Sequence, residues 1–343
     1  MEHFFEQLIN EWNIELYGES YNRWNEVLDQ LEYVPCEYAF WIVDYYNTWM
    51  KEKYDQILNL SHIIKDGDNP IGLWIIQLRC HDGKWTIGSN YHELSSPIFI
   101  KTCSNKTKKR WIKKCCDRLK TILSLYNITT ITLKTETSRD GTPDWYNYWK
   151  GKGASFSSIE HMMYVDLSLS YEQIHSHLRG RYKTHVNNGK KMWDIKIFDQ
   201  YDKDVFDMYM EFHHKIAGRV TRGPKTWDSQ RNAMKHGEAF IILTTDKKNG
   251  DLIGAAYFFN SKDESIYLSG AFDRTLFDKP VSHITQYSVI EYCKKNGLKN
   301  YRIGERLYIQ DDPSTTAKEL SISDFKEGFA TNTYINVILN SEV

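Results

Sequence analysis

Two stretches of this chain repeat one another at a fixed spacing, and that repetition limits what it can fold into. Ile71-Gly72 opens one strand-like run, and Ile253-Gly254 opens another 182 positions later (254 − 72). Gly88 and Gly270 follow a hairpin in each copy, again 182 apart (270 − 88). Pro97 and Pro280 precede the next helix at a separation of 183 (280 − 97). The order of elements around these points is the same. In the first copy, residues 58–64 lead through the turn Asp66-Gly67-Asp68-Asn69 into the run 71–76. His81-Asp82-Gly83 then signals a hairpin into Trp85-Thr86-Ile87. Residues 107–126 carry the spacing of an amphipathic helix, and 128–133 form a β-branched strand. The second copy runs from strand 240–243 and turn 246–250 to the hairpin 252–259 and 265–268. It closes with the helix 282–295, an αL stop at Gly297 and strand 300–303. Two glycines and a proline in step, inside matching element order, predict a duplicated unit.

Each copy reads as a mixed sheet flanked by helices, with antiparallel hairpins feeding one late parallel strand–helix–strand unit. The expected fold class is therefore α/β, in the mixed-sheet (α+β) sense, with two tandem domains at 1–158 and 159–343. Length agrees, since 343 residues exceed what one core usually supports. The Gly/Ser-rich segment 151–158 is the expected linker. Ahead of the first copy, Phe5, Leu8, Ile9 and Trp12, then Trp24, Leu28 and Leu31, have helical spacing.

Charge excludes some functions. Lys and Arg number 44 against 45 Asp and Glu, so the net charge is −1 and the basic excess of a dedicated nucleic-acid binder is missing. The basic runs 106–114 and 179–191 read first as solvated helix faces and second as contacts for tRNA phosphates. No run approaches the ~18 apolar residues of a membrane span. Met1-Glu2-His3-Phe4 lacks an export pattern, so a cytoplasmic location is expected. The six cysteines form no C-x-x-C pair and read as packing or surface thiols. The motifs G-x-S-x-G, G-x-x-x-x-G-K-[ST] and H-E-x-x-H are absent. His161, His175, His177 and His185 have no ligand spacing, so no metal is expected.

Four further segments carry a resemblance. They are Val165-Asp166-Leu167-Ser168 with the basic Leu178–Lys183 stretch, Glu211-Phe212-His213 running to Arg222, Leu268–Arg274 leading through Pro280 into a helix, and Tyr301-Arg302-Ile303-Gly304-Glu305 followed by 322–329. In this order, on two similar halves, they resemble the FemABX-type transferases of the GNAT (acetyltransferase-like) superfamily. The resemblance implies two tandem GNAT-like domains, with most of the catalytic motifs in the second. It also implies transfer of an acyl or aminoacyl group to an amine. The donor would be acyl-CoA or aminoacyl-tRNA as co-substrate, with no tightly bound cofactor. The acceptor would be a small-molecule or lipid-linked amine of an envelope precursor, such as an amino sugar on a nucleotide or lipid carrier, or a peptidoglycan-precursor peptide. Two departures leave the donor open: there is no long coiled-coil insertion, and the Q/R-x-x-G-x-G/A pyrophosphate loop is missing.

Acyl transfer to an amine needs a neutral amine, a held ester or thioester, and charge stabilisation of the oxyanion. In the resemblance, Phe325-Lys326 matches the Phe-Lys of a late F-K-x-x-F segment facing the donor ester, with Lys326 as its electrostatic partner. Arg219 and Arg222, three apart in a glycine-flanked loop, suit a diphosphate. Thr226 would cap the helix that follows them. His213 is a candidate proton acceptor, because imidazole titrates near neutrality. Asp273, Arg274 and His283 surround the entry to the late helix, beside the expected cap Ser282, where an anion can bind. Glu305 directly follows the last crossover strand, where open α/β sheets bind ligands, and is the preferred general base. Its alternative is a salt bridge with Arg302 or Arg306. Against the enzyme stands a catalytically silent two-lobed module that binds a nucleotide sugar or a partner enzyme.

Overall fold

In the computed structural model, which describes residues 12, 14–18, 21–136 and 143–342, the chain separates into two units. The described residues up to Ile159, joined by those from Ile335 onward, form one; Glu160–Tyr334 form the other. The predicted helical positions Phe5, Leu8 and Ile9 lie outside the described residues.

The first unit begins with β1 (Glu15–Leu16), α1 (Tyr21–Asp29) and α2 (Phe40–Met50). Short strands follow: β2 (Gln56–Asn59), β3 (His62–Asp66), β4 (Asn69–Trp74), β5 (Gln77–His81), β6 (Lys84–Gly88), β7 (Leu94–Ser95) and β8 (Ile98–Phe99). The β5–β6 hairpin closes on Asp82 (φ 50) and Gly83 (φ 72), the two left-handed residues that a tight hairpin wants. Then come α3 (Asn105–Leu125), β9 (Thr130–Glu136) and α4 (Pro143–Gly151). Ser104 caps α3 by accepting from the Thr107 amide at 3.2 Å. The buried side of α3, including Trp111, Leu119 and Leu123, packs in one core with Trp74, Trp145 and Trp149.

β10 (Ser155–Asp166) leads into the second unit. There follow α5 (Tyr171–His177), α6 (Gly180–Met192), β11 (Trp193–Phe198), α7 (Lys203–Ala217) and α8 (Pro224–Lys235). The strands β12 (Ala239–Asp246), β13 (Leu252–Asn260) and β14 (Glu264–Phe272) form an antiparallel run. α9 (Val281–Lys295) crosses over to β15 (Asn300–Arg306), and α10 (Ala317–Glu327) precedes β16 (Asn332–Glu342). α9 ends as predicted: Gly297 takes φ 77, Leu298 N–H donates to Cys293 O, and Gly297 N–H donates to Lys294 O.

The matching order is visible in the strand partners. In the first unit β9 pairs antiparallel with β16 and parallel with β7; in the second, β15 pairs antiparallel with β10 and parallel with β14. Four expectations need correction. Residues 155–158 of the expected linker belong to β10, where Ser155 and Ser157 hydrogen-bond Asn340. Residues 335–342, expected in the second domain, fold with the first, because Leu339 enters its core and β16 pairs with β9. Ser282 does not cap α9, whose N-cap is Pro280, and Thr226 lies buried inside α8 behind the N-cap Gly223 and a proline at the first helical position.

Candidate active site

Two neighbouring strands of the second unit pair over only part of their length. β14 and β15 pair in parallel only where Glu264–Ile266 meet Asn300–Arg302, although β14 runs on to Phe272 and β15 to Arg306. Each strand carries an irregularity just beyond that contact. The β13–β14 register shifts between Tyr257 and Phe258, and the β10–β15 register shifts between Met163 and Tyr164. Such bulges bend and twist a strand locally. Beyond the shared contact the two strands are no longer paired with each other. The closed end is held by a buried ion pair, Arg302 Nε to Glu264 Oε1 at 3.6 Å, with side chains 7% and 2% exposed.

α10 lies against β15 and brings Lys326 to this opening. Its start is a capping box: Thr316 Oγ1 accepts from the Glu319 amide at 3.2 Å, and Glu319 Oε2 accepts from the Thr316 amide at 2.8 Å. Its end is pinned by arginines. Arg179 donates to Asp324 (2.8 Å) and reaches Glu327 (3.3 Å), and Arg306 reaches Glu327 at 3.2 Å. Ser323 Oγ accepts from the Leu307 amide at 2.7 Å. Lys326 then runs over Gly304. A Cβ on Gly304 would stand 2.6 Å from the Lys326 Nζ and 3.1 Å from its Cδ, and Gly304 itself holds φ +141. Glycine is needed here both for space and for backbone conformation.

Burial lowers the Lys326 ammonium below the ordinary lysine range, and the neighbouring Glu305 carboxylate partly opposes that shift. The Lys326 Nζ also sits 5.3 Å from the Tyr267 ring centroid. The Tyr267 phenol is pushed upward by burial and then by Tyr209, so it stays a proton donor. Its hydroxyl lies against Gly270, where a Cβ would collide with it. One residue past the bulge, Ser269 Oγ is 2.8 Å from the Tyr209 hydroxyl on α7. Lys326, Glu305, Tyr267 and two glycines thus meet at the open end of the strand pair. Arg302 is ion-paired with Glu264, and Arg306 with Asp324 and Glu327.

The other predicted residues fall into different groups. Phe325 packs edge-on to His283 at 5.0 Å and close to Phe329, with Tyr182 donating to its carbonyl at 3.1 Å. His283 is lowered to about 4 by burial, then by His185 and Arg181, and is a neutral ring within that aromatic cluster. His213, one turn beyond Tyr209 on α7, has Thr221 Oγ1 at 3.3 Å from its Nδ1. Burial first, then Arg222 and His214, lower it to about 4, so it is neutral and a weak base at neutral pH. Arg222 donates to Thr221 Oγ1 and stacks over Trp227 at 5.1 Å, while Arg219 is exposed. Asp273 accepts from the amide and hydroxyl of Thr275, which lower its carboxyl and build the turn in which Arg274 stands exposed. In the first unit, Asp55, His81 and Asp82 bring possible ligand atoms within 4.8 Å of one another, all exposed.

No protein-family model and no curated protein matches the sequence. Solved structures do match. FemX superposes over 96% of this chain and 97% of its own, with a TM-score of 0.68 at 12% identity. The C-terminal domain of a putative lysylphosphatidylglycerol synthetase from Agrobacterium fabrum covers 94% of this chain and 92% of its own, with a TM-score of 0.57 at 10% identity. A tandem GNAT protein from the clavulanic acid biosynthesis pathway covers 96% and 97%, with a TM-score of 0.50 at 11% identity. This chain has the tandem-GNAT fold, in the form seen in FemX. The expected fold class and duplication are those of the structure, and the match runs the length of both chains.

Within the tandem-GNAT fold, two members of the site were missed from sequence. Gly304 stands inside the Ile303-Gly304-Glu305 segment, and a glycine at a strand end signals close approach of another group. Tyr267 gave no such signal: it is one of 23 tyrosines, and only the bulge beside it turns it toward Gly270.

Proposed function

We propose that the chain is an N-acyl or aminoacyl transferase whose reaction centre is the open end of β14 and β15. One observation carries this reading: the Lys326 ammonium passes over the side-chain-free Gly304 into the gap between two parallel strands, beside Glu305 and Tyr267. A gap of this kind offers backbone donors and acceptors to an extended donor chain, which would lie there as a strand does. The acceptor amine attacks the donor carbonyl carbon, and the new C–N bond forms while negative charge collects on the carbonyl oxygen. Lys326 stabilises that charge in a poorly solvated place, where a preorganised cation counts most. Glu305 takes the proton that the amine nitrogen must lose. The C–S or C–O bond to the leaving group then breaks; Tyr267, kept protonated, donates a hydrogen bond to the departing thiolate or ribose oxygen, and the proton taken by Glu305 passes to that leaving group, restoring the carboxylate.

The donor is acyl-CoA or aminoacyl-tRNA, and the acceptor is an amine of an envelope precursor, small or lipid-linked, acted on in the cytoplasm. Arg219, and Arg274 beside the Asp273 turn, are the exposed cations in this unit's loops that would meet an acceptor phosphate; Arg222 and His213 support the same loop. Phe325 and His283 would act from behind, holding α10 in place. The fold comparison supports the reaction class, since FemX, a synthetase domain and a tandem GNAT protein share the architecture.

The experiment is a transfer assay with a panel of amino-sugar and peptide amines, run with labelled acetyl-CoA and separately with charged tRNA. Turnover with one donor is expected, and Lys326→Met should lower it by about 10²–10³. Consumption of neither donor with any amine, or full turnover by the variant, would remove Lys326 and this reading together.

A further inference from the structure

The second unit exposes two large apolar side chains far more than any core requires. Phe277 is 69% exposed and Val220 is 68% exposed, the highest values among the described large hydrophobic residues. Both sit at loop tips whose neighbours are anchored. Gly218 ends α7 in the left-handed conformation (φ 69), and the chain turns out through Arg219 and Val220 before α8. The other loop is fixed by the Asp273–Thr275 hydrogen bonds, and Leu276 packs inward against the core, so the adjacent Phe277 is left outside. The two loops leave the C-terminal ends of α7 and β14, which pack against each other with the Tyr209 hydroxyl 2.8 Å from Ser269 Oγ, and Lys215 at the end of α7 bears on Asp273.

Charge around the tips differs from that of the whole chain. Residues 215–225 hold Lys215, Arg219, Arg222 and Lys225 and no acid. Residues 273–279 hold Arg274 and Lys279 against Asp273 and Asp278. The two segments together carry six cations and two anions, a net +4 (6 − 2), in a protein of net −1. Isolated exposed apolar residues are ordinary. Two protruding ones on these loops, ringed by cations in a chain whose remaining residues carry a net −5 (−1 − 4), are the combination that binds the surface of an anionic bilayer: apolar tips enter the headgroup region, and Lys and Arg meet the phosphates. Among the described residues no helix is long and apolar enough to cross a membrane, so such contact would be peripheral.

We propose that the loops 218–223 and 273–279 form a membrane-surface contact, with Phe277 and Val220 inserting and Arg219, Arg274 and Lys279 engaging anionic headgroups. The inference shares Arg219 and Arg274 with the acceptor-phosphate reading above, and its vesicle test needs no transfer activity.

The test is sedimentation of the full chain with sucrose-loaded vesicles of phosphatidylcholine alone or with 30 mole per cent phosphatidylglycerol, the latter fraction chosen to be about that of an anionic membrane. Binding is expected only with the anionic lipid. It should weaken about fivefold for each cation removed, as in Lys279→Gln, and fall in high salt. Phe277→Ser with Val220→Ser should weaken it at least about tenfold while leaving the circular dichroism spectrum and the transfer rate on a water-soluble acceptor unchanged. Equal binding to both vesicle types, or full binding by the Phe277→Ser, Val220→Ser variant, overturns the proposal. Inorganic phosphate at millimolar concentration displacing the protein completely would also overturn it, because the site would then be one for a free anion. So would concentration-dependent dimerisation that the double variant abolishes, because the tips would then cover a second copy of the chain.

Discussion

Replacing Gly304 by alanine separates two demands that meet at one residue. The first is conformational: φ +141 is a region that residues with a Cβ avoid, and holding one there costs on the order of 1–3 kcal/mol. Part of this is offset, because alanine loses less backbone freedom on folding, by about 0.4–1 kcal/mol. A net loss of about 1–2 kcal/mol follows. The second demand is steric. The new Cβ would lie 2.6 Å from the Lys326 Nζ, 3.1 Å from Cδ and 3.3 Å from Cε. These atoms are the far end of a flexible side chain that is already poorly solvated, so Lys326 should swing toward water and not push the strand aside. The clash then adds little to the unfolding free energy but removes the ammonium from the gap. Urea unfolding followed by circular dichroism measures the first part, in wild-type and Lys326→Ala backgrounds. The cost of Gly304→Ala should agree between the two within about 0.5 kcal/mol. A loss below about 0.3 kcal/mol would refute the conformational argument. A cost larger by more than about 1.5 kcal/mol when Lys326 is present would show the lysine rigidly fixed, and the steric reasoning would fail.

Lys326 also predicts a pH dependence. Its folded-state pKa is lowered, chiefly by burial, so the unfolded chain binds that proton more tightly. Stability from this group therefore rises as pH climbs through the alkaline range below the ordinary lysine value of 10.5, and Lys326→Met should abolish that rise while leaving neutral-pH stability equal or higher. If the charged form acts on the oxyanion, the transfer rate should fall on the alkaline side at a pH below 10.5; a rate that is flat to that point would separate the charge from the reaction. Glu264→Gln leaves the buried Arg302 guanidinium without its carboxylate and should cost about 3 kcal/mol, read as a thermal midpoint lower by about 6–12 °C. Thr316→Ala removes the side-chain half of the α10 capping box, leaving Glu319 on the backbone amide, and should cost about 1 kcal/mol, detectable as faster amide exchange in 317–320.

What could be read from the sequence was whatever depends on neighbours along the chain. The hairpin at Asp82-Gly83, the α3 apolar face and the Gly297 stop all follow from local sterics and periodicity, and each stands where it was expected. The duplication was legible because its glycines are forced by close contacts: a Cβ on Gly72 would strike the Ile98 carbonyl, one on Gly254 would meet the Phe272 ring at 2.8 Å, and one on Gly270 would strike Tyr267. What could not be read depends on strands far apart in sequence. Nothing local to 335–342 says that it must find β9 some 200 positions earlier, and a Ser-rich 155–158 looks like a linker until Asn340 supplies its partners. The Phe325-Lys326 dipeptide shows the same limit inside one helix. Consecutive helical residues project about 100° apart, so a motif written as a pair cannot act as one. Phe325 turns to His283, Phe329 and Tyr182, and Lys326 turns over Gly304. The division of labour follows from that angle: the aromatic ring fixes where α10 lies, and the position of α10 decides whether the ammonium reaches the gap. Weakening the Phe325 contact should therefore impair transfer through Lys326, without Phe325 ever touching the reacting atoms.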